Sequence, residues 1–194
     1  MAHIILGSQS PRRKEILNFF NFPFKQATPD FDEETIFFRR DPIAYVCALA
    51  EGKARALQNF HPNDIILSAD TVVYRSGKVY NKPKNEQEAF AMLSELVGKW
   101  HSVFTGVAVL KGETMRTGWE ETRVLFNAMT EEEIRRYHQK IHWADKAGGY
   151  AIQMAGGLIV KKIDGCYYNA MGLPINTVHS LLKQAGIELW NYVQ

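Results

Sequence analysis

The chain has 194 residues, 46% of them apolar and 23% charged, enough for one domain with a real hydrophobic core. A net charge of +2 excludes a polycation that would hold nucleic acid or an anionic membrane through its overall field, so any anion site must be local. Two cysteines without partnered spacing (Cys47 and Cys166), the lack of an apolar run of membrane-span length, and a first eight residues too short and uncharged for a secretory signal lead us to expect a reduced, cytoplasmic protein without disulfide or zinc site.

In chain order, His3 to Leu6 predicts a short buried strand. Ser10 before Pro11 is the favoured N-cap and first-turn pair, and Ile16, Leu17 and Phe20 continue a helix at helical spacing. PDFDEE (29–34) makes an acidic loop. Asp41-Pro42 opens a second helix to about Asn59, with Ile43, Val46, Cys47, Ala50, Ala54 and Leu57 as its apolar stripe. The β-rich run DIILSADTVVY (64–74) turns at Ser76-Gly77 and returns through Val79-Tyr80. Asn85 and Glu88 form a capping-box pattern for a helix to Leu96, closed by Gly98. Strands over 100–110 and 115–126 are joined by Lys111-Gly112, and Thr130 with Glu133 caps a helix through about Gln139. After the loop WADKAGGYAIQ the pattern predicts a strand pair around Gly157 to Tyr168, then a last helix from Pro174 to Ala185, ended by Gly186. In the C-terminal IELWNYVQ, Trp190 and Tyr192 can pack on the core or on a partner, and core packing is the expectation. Strands alternating with helices give an α/β or α+β class with a mixed sheet, in a single domain over 1–194.

The first candidate for chemistry is LGSQSPRR (6–13). A strand feeding a helix start exposes backbone N–H groups, Ser8 and Ser10 add hydroxyls, and Arg12 and Arg13 add planar forks suited to phosphate oxygens. A phosphate cradle and a capped, solvated basic turn both fit. Asp70 interrupts an apolar strand, where a carboxylate is expensive unless paired, bonded or metal-bound; it is either a strand-end cap or a general base or metal ligand. In the acidic loop, Asp30, Asp32, Glu33 and Glu34 are either a solvated charge run or carboxylates for Mg²⁺ together with substrate phosphates. Lys53 at the edge of its helix stripe could simply snorkel. Lys82 sits on extended backbone before Pro83, and Lys146 lies in the glycine-bearing loop; as a set the three lysines suit a polyanion. Gln153 presents a donor and an acceptor side by side, matching the imide edge of uracil or thymine as well as an ordinary exposed position.

SQSPRR, then Glu33, Lys53 in EGKA, SADTVV, KPKN, GKWHSVFTGV, DKAGGYAIQ and YYNAMGLP follow one another in an order that resembles the Maf family of nucleotide pyrophosphatases, first associated with inhibition of septum formation; the resemblance runs from about residue 3 to 185. It implies an α/β fold with an elongated mixed β-sheet flanked by helices and two lobes around a central cleft. It also implies hydrolysis of a nucleoside triphosphate to the monophosphate and pyrophosphate with a divalent metal, Mg²⁺ or Mn²⁺, and a homodimer. Asp70 matches the family's proton acceptor, and Ser8, Arg12, Arg13, Glu33, Lys53 and Lys82 its polar cleft; Glu33 and Asp70 are the expected metal ligands. Arg12, Thr71 and Gln153 match positions associated with base choice. A branch acting on 7-methylguanosine triphosphate carries Gln after the catalytic Asp and Glu in place of Gln153, a carboxylate that complements a cationic base. Thr71 and Gln153 therefore resemble the branch acting on dTTP and UTP. Two positions depart from the pattern: Asn81 precedes Lys82 where glycine is usual, and Met154 follows Gln153 where glycine is usual. A nucleotide-binding regulator of division with incidental hydrolysis is the rival from another class. A nucleic-acid module would need phosphate contacts with steep salt dependence, against which the near-neutral charge speaks.

Overall fold

A computed structural model describes residues 3–193. The elements are β1 (Ile4–Gly7), α1 (Pro11–Leu17), β2 (Phe24–Ala27), α2 (Pro42–Gln58), β3 (Ile65–Arg75), β4 (Lys78–Tyr80), α3 (Glu86–Leu96), β5 (Trp100–Lys111), β6 (Thr114–Phe126), α4 (Glu131–Lys140), α5 (Gly156–Ile159), β7 (Val160–Asp164), α6 (Tyr167–Met171) and α7 (Ile175–Gln184). Seven strands form one mixed sheet in the order β2-β1-β3-β5-β6-β7, with β4 paired to β3. β1 is parallel to β2 and β3, as strands joined through crossover helices must be. β4 and β7 run antiparallel to β3 and β6. No helix among the described residues is long and apolar enough to cross a membrane.

The chain forms two compact units: one takes the chain up to Asp70, Thr105–Glu120 and the segment from Gly172 on, the other takes Thr71–Phe104 and Glu121–Met171. In the first, α2 is held tight to the strands by small residues. Ala50 and Ala54 pack with Leu57 against Ile5, Ile66, Ala108 and Leu110. At Gly106 a Cβ would fall 2.5 Å from the Val46 carbonyl carbon, a distance no real side chain adopts, so glycine is what lets β5 meet the helix backbone. Asp41 starts α2 by accepting the Ile43 and Ala44 amides at 2.9 and 3.1 Å.

The second unit is centred on an aromatic group. The His101 and Phe126 rings lie 4.5 Å apart and Phe126 and Tyr150 4.7 Å, while the Tyr150 hydroxyl and His101 Nε2 meet at 2.9 Å. Burial lowers the His101 pKa to about 4 and drives that of Tyr150 upward, so the ring is neutral and its Nε2 accepts from the phenol.

Several expectations need correction. The strand pair around Gly157 to Tyr168 is one strand, β7, between two short helices, α5 and α6; β7 finds its partner in β6 and needs no second strand beside it. β2 was not expected, because FKQA is a half-exposed edge strand without an apolar run. Glu88 completes only half a capping box: its amide bonds Asn85 Oδ1 at 2.8 Å, but its carboxylate takes the Lys84 amide instead. Near the C-terminus Tyr192 packs edge-on against Phe22 at 5.0 Å, yet Trp190 is 71% exposed because the intervening turn carries it outward; Gln194 lies outside the described residues.

Candidate active site

The end of β1 and the start of α1 place Ser8, Ser10, Arg12 and Arg13. Ser8 is buried, and its Oγ accepts from Arg13 Nη1 at 3.0 Å and from the Ser10 amide at 3.2 Å. Arg13 is no solvated turn residue: it is 9% exposed, and its Nε donates to the Gly172 carbonyl at 2.7 Å. Burial pulls its pKa below the ordinary value; the charge of Asp70 opposes this, Arg12 adds to it, and Glu33 opposes more weakly. Those charges therefore share one neighbourhood. Ser10 occupies the N-cap position, but its hydroxyl makes no capping bond; its own amide donates to Ser8 Oγ. Arg12 is half-buried.

Asp70 sits within β3 and is buried. Ser68, two residues earlier and so on the same face of the strand, donates from Oγ to the Ala50 carbonyl of α2 at 2.6 Å. That bond fixes the face of β3 carrying Asp70 against the helix carrying Lys53. Lys53 does not snorkel: it is buried, and its Nζ bonds Asp70 Oδ1 and, at 2.8 Å, Glu33 Oε1. Glu33, 46% exposed, comes from a short 3₁₀ turn, Glu33–Thr35, whose first residues are capped by Asp32 Oδ1 through the Glu34 amide.

The other expected residues lie in the second unit. Thr71 follows Asp70 on β3 and is half-buried. Lys82 is exposed after β4. Lys146 turns back on its own loop, bonding Asp145 Oδ1 at 2.5 Å and the His142 carbonyl. α4 pins that loop: the Tyr137 hydroxyl donates to the Ala151 carbonyl and accepts from its amide, both at 3.0 Å, and His138 Nε2 meets the Gly149 carbonyl at 3.0 Å. Gln153 follows, half-buried, with its Oε1 buried and without a partner among the described residues.

Sequence reasoning gave no role to Gly172, Phe31 or Gly52. Gly172 holds Arg13 through its carbonyl, which gives part of YYNAMGLP a purpose. Gly52 in the middle of α2 could have been noticed as a glycine with no local reason to be there; a Cβ on it would lie 2.3 Å from Phe31 Cζ.

A divalent cation can be tested against this donor set. No group of three or more His, Cys, Asp or Glu suited to a metal occurs among the described residues. Glu33 and Asp70 offer two carboxylates converging on one ammonium. Two carboxylates completed by substrate phosphate oxygens and water are what Mg²⁺ takes, so these residues fit a cation that arrives with its nucleotide.

The sequence model of the family described as Maf-like protein matches residues 3–185. A dTTP/UTP pyrophosphatase of Chlamydia felis is 47% identical over 191 residues, covering 98% of this chain and 97% of that protein. One from Clostridium perfringens is 41% identical, covering 96% and 98%. A nucleoside triphosphate pyrophosphatase of Chlamydia muridarum is 40% identical, covering 99% and 98%.

Proposed function

The chain belongs to the Maf-like protein family, and from that premise we propose that it hydrolyses a nucleoside triphosphate to the monophosphate and pyrophosphate, with dTTP and UTP as substrates. The observation that carries this is the buried pairing of Lys53 with Asp70, joined by Glu33, beside Arg13 and Ser8.

Ser8, Ser10, Arg12, Arg13, Lys53 and Lys82 stabilise the charge of the triphosphate. Lys53 fixes Asp70 through one carboxylate oxygen and leaves the other to accept a proton as water attacks the α-phosphorus and pyrophosphate departs. Mg²⁺ or Mn²⁺ would be held by Glu33 and Asp70, and when bound it supplies neutralisation of phosphate charge and orientation of the nucleophile. Positioned proton transfer and preorganised charge of this kind each contribute roughly 10²–10⁴-fold.

We assign the base to Thr71 and Gln153. The unpartnered Oε1 of Gln153 suits the N3–H of uracil or thymine, and its amide N–H suits the adjacent carbonyl. A neutral amide lacks the charge that a methylated, cationic guanine would favour. Lys146 spends its ammonium on Asp145 and the His142 carbonyl, so its part in substrate binding is to shape the loop leading to Gln153.

The test is pyrophosphate release from dTTP, UTP, CTP, ATP, GTP and 7-methyl-GTP with Mg²⁺ and with chelator. Release should be fastest for dTTP and UTP and should vanish with chelator. Negligible release at saturating nucleotide would instead make the protein a nucleotide-binding regulator, and a purine preference would overturn the assignment of Gln153.

A further inference from the structure

The acidic segment that carries Glu33 is largely exposed, and an ion pair whose carboxylate stands 46% in solvent is a weak tether for a loop by itself. Its position on α2 has another source. The ring of Phe31 lies directly on the helix at Gly52, where a Cβ would fall 2.3 Å from Cζ, 2.5 Å from Cε2 and 2.9 Å from Cε1. Real Cβ atoms do not come so close, so any other residue at position 52 displaces the ring. Seven residues earlier on α2, Tyr45 receives the ring of Phe38 edge-on at 5.6 Å. Tyr45 and Gly52 are two turns apart on one face of the helix. The chain from Phe31 to Phe38 thus runs antiparallel to α2 between two aromatic docking points. Between them Asp32 tightens the turn, accepting the Glu34 amide at 3.0 Å and, through its carbonyl, the Thr35 hydroxyl at 2.7 Å. Glu33 is two residues from Phe31, and its partner Lys53 is the residue after Gly52.

We propose that the Phe31 ring seated on Gly52 is the positioning device that brings the Glu33 carboxylate to Lys53 and Asp70. Phe31 and Gly52 are positioning residues that act through Glu33. The proposal rests on Glu33 serving the triphosphate and its cation; the contact itself is independent of that reading.

Phe31→Ala is measured in wild-type and Glu33→Gln backgrounds, with Mg²⁺ titrated at saturating dTTP. A displaced carboxylate should lower kcat about 10- to 100-fold and raise the Mg²⁺ concentration for half-maximal rate about tenfold, since misplacements of an ångström cost this much. Phe31→Leu, which keeps an apolar side chain over Gly52 without lengthening it, should lose less on both counts. In the Glu33→Gln background Phe31→Ala should change the rate less than about twofold, because the group it positions is gone. Gly52→Ala should reproduce Phe31→Ala, and should add nothing to it, since the ring it would displace is absent. An equal loss in the Glu33→Gln background, or unchanged Mg²⁺ dependence, overturns the proposal. Amide exchange supplies a readout free of activity: Phe31→Ala should accelerate exchange at Glu34 and Thr35, and unaltered exchange also overturns it. A wild-type protein that releases no pyrophosphate sinks the functional reading alone and leaves the exchange experiment to decide this one.

Discussion

In the cluster around Lys53 the charged groups answer one another, whereas in the segment from Lys146 to Val160 a buried amide oxygen is left unanswered. Lys53 has both Asp70 and Glu33, and Ser8 has both Arg13 and the Ser10 amide. Gln153 keeps a buried Oε1 without a partner among the described residues, and the next residue, Met154, stands in the left-handed region at φ 54°. An interlocked cluster is preorganised: its groups are held before substrate arrives, so no reorganisation is needed when charge develops. An open acceptor beside a strained residue is what a ligand-reading segment looks like, because the missing hydrogen bond is one that a ligand supplies.

The sharpest attack on the first half of that contrast is Asp70→Asn. The amide keeps the shape of the carboxylate but cannot take the proton, so turnover should fall about 10²–10⁴-fold. Nucleotide binding, followed by equilibrium dialysis, should survive because Arg12, Arg13 and Lys53 remain. Near-normal pyrophosphate release would remove Asp70 from the chemistry. Lys53→Met attacks the same region through stability. It leaves Asp70 buried without its cation, and breaking a buried pair from one side costs about 3–5 kcal/mol. A urea midpoint that barely moves would mean the cluster is not interlocked.

How far the sequence reveals these two regions follows from the same physics. Helices with side-chain caps, such as α2 behind Asp41 and α4 behind its Thr130–Glu133 capping box, were legible because cap and stripe are both local. Asp70 and Lys53 stood out as charges inside apolar patterns, and the family resemblance put them in one site. That Lys53 is paired and that Arg13 is buried depend on Ala50, Ser68 and Gly172, residues distant in the chain, and no local pattern encodes such contacts. The stretch from Gly157 to Tyr168 misled for a related reason. Its apolar and β-branched residues are read as strands wherever they lie, but only the five-residue stretch Val160–Asp164 becomes a strand, β7, beside β6.

The second unit holds a buried group that ties stability to pH, and His101 is the place to test it. Its folded pKa of about 4 lies below the ordinary 6.5, so the unfolded chain binds the extra proton between those values. Stability is therefore fully present above pH 6.5 and is lost as pH falls toward 4, by about 3 kcal/mol for a gap of that width. Against His101→Gln, the wild-type advantage in denaturant unfolding should shrink across that window. An advantage that does not change with pH would mean that the ring is not buried neutral.

The smallest effect separates the two departures from the family pattern. Asn81 stands where the family resemblance leads one to expect glycine, yet Arg40, Ser76 and Met154 are the non-glycine residues with positive φ among those described, so Asn81 uses ordinary backbone. Met154 does not. It holds a glycine-like conformation while its side chain is 94% exposed and packs on nothing. The left-handed region costs a residue with a Cβ about 1–2 kcal/mol, and glycine returns about 0.5–1 kcal/mol of that as greater freedom in the unfolded chain. Met154→Gly should thus stabilise the protein by about 0.5–1 kcal/mol, a rise in Tm of about 1–4 °C for a chain of this size. Asn81→Gly, gaining no relief, should lower Tm instead. The turn around Met154 is kept by the Gly156 amide on the Gln153 carbonyl at 2.9 Å and the Gly157 amide on the Met154 carbonyl at 3.0 Å. Because those bonds do not depend on the Met154 side chain, the Met154→Gly variant should keep its preference among dTTP, UTP and purine triphosphates. A changed preference at raised stability would assign the thioether itself to base recognition, and the open character of this segment would then belong to Met154 as much as to Gln153.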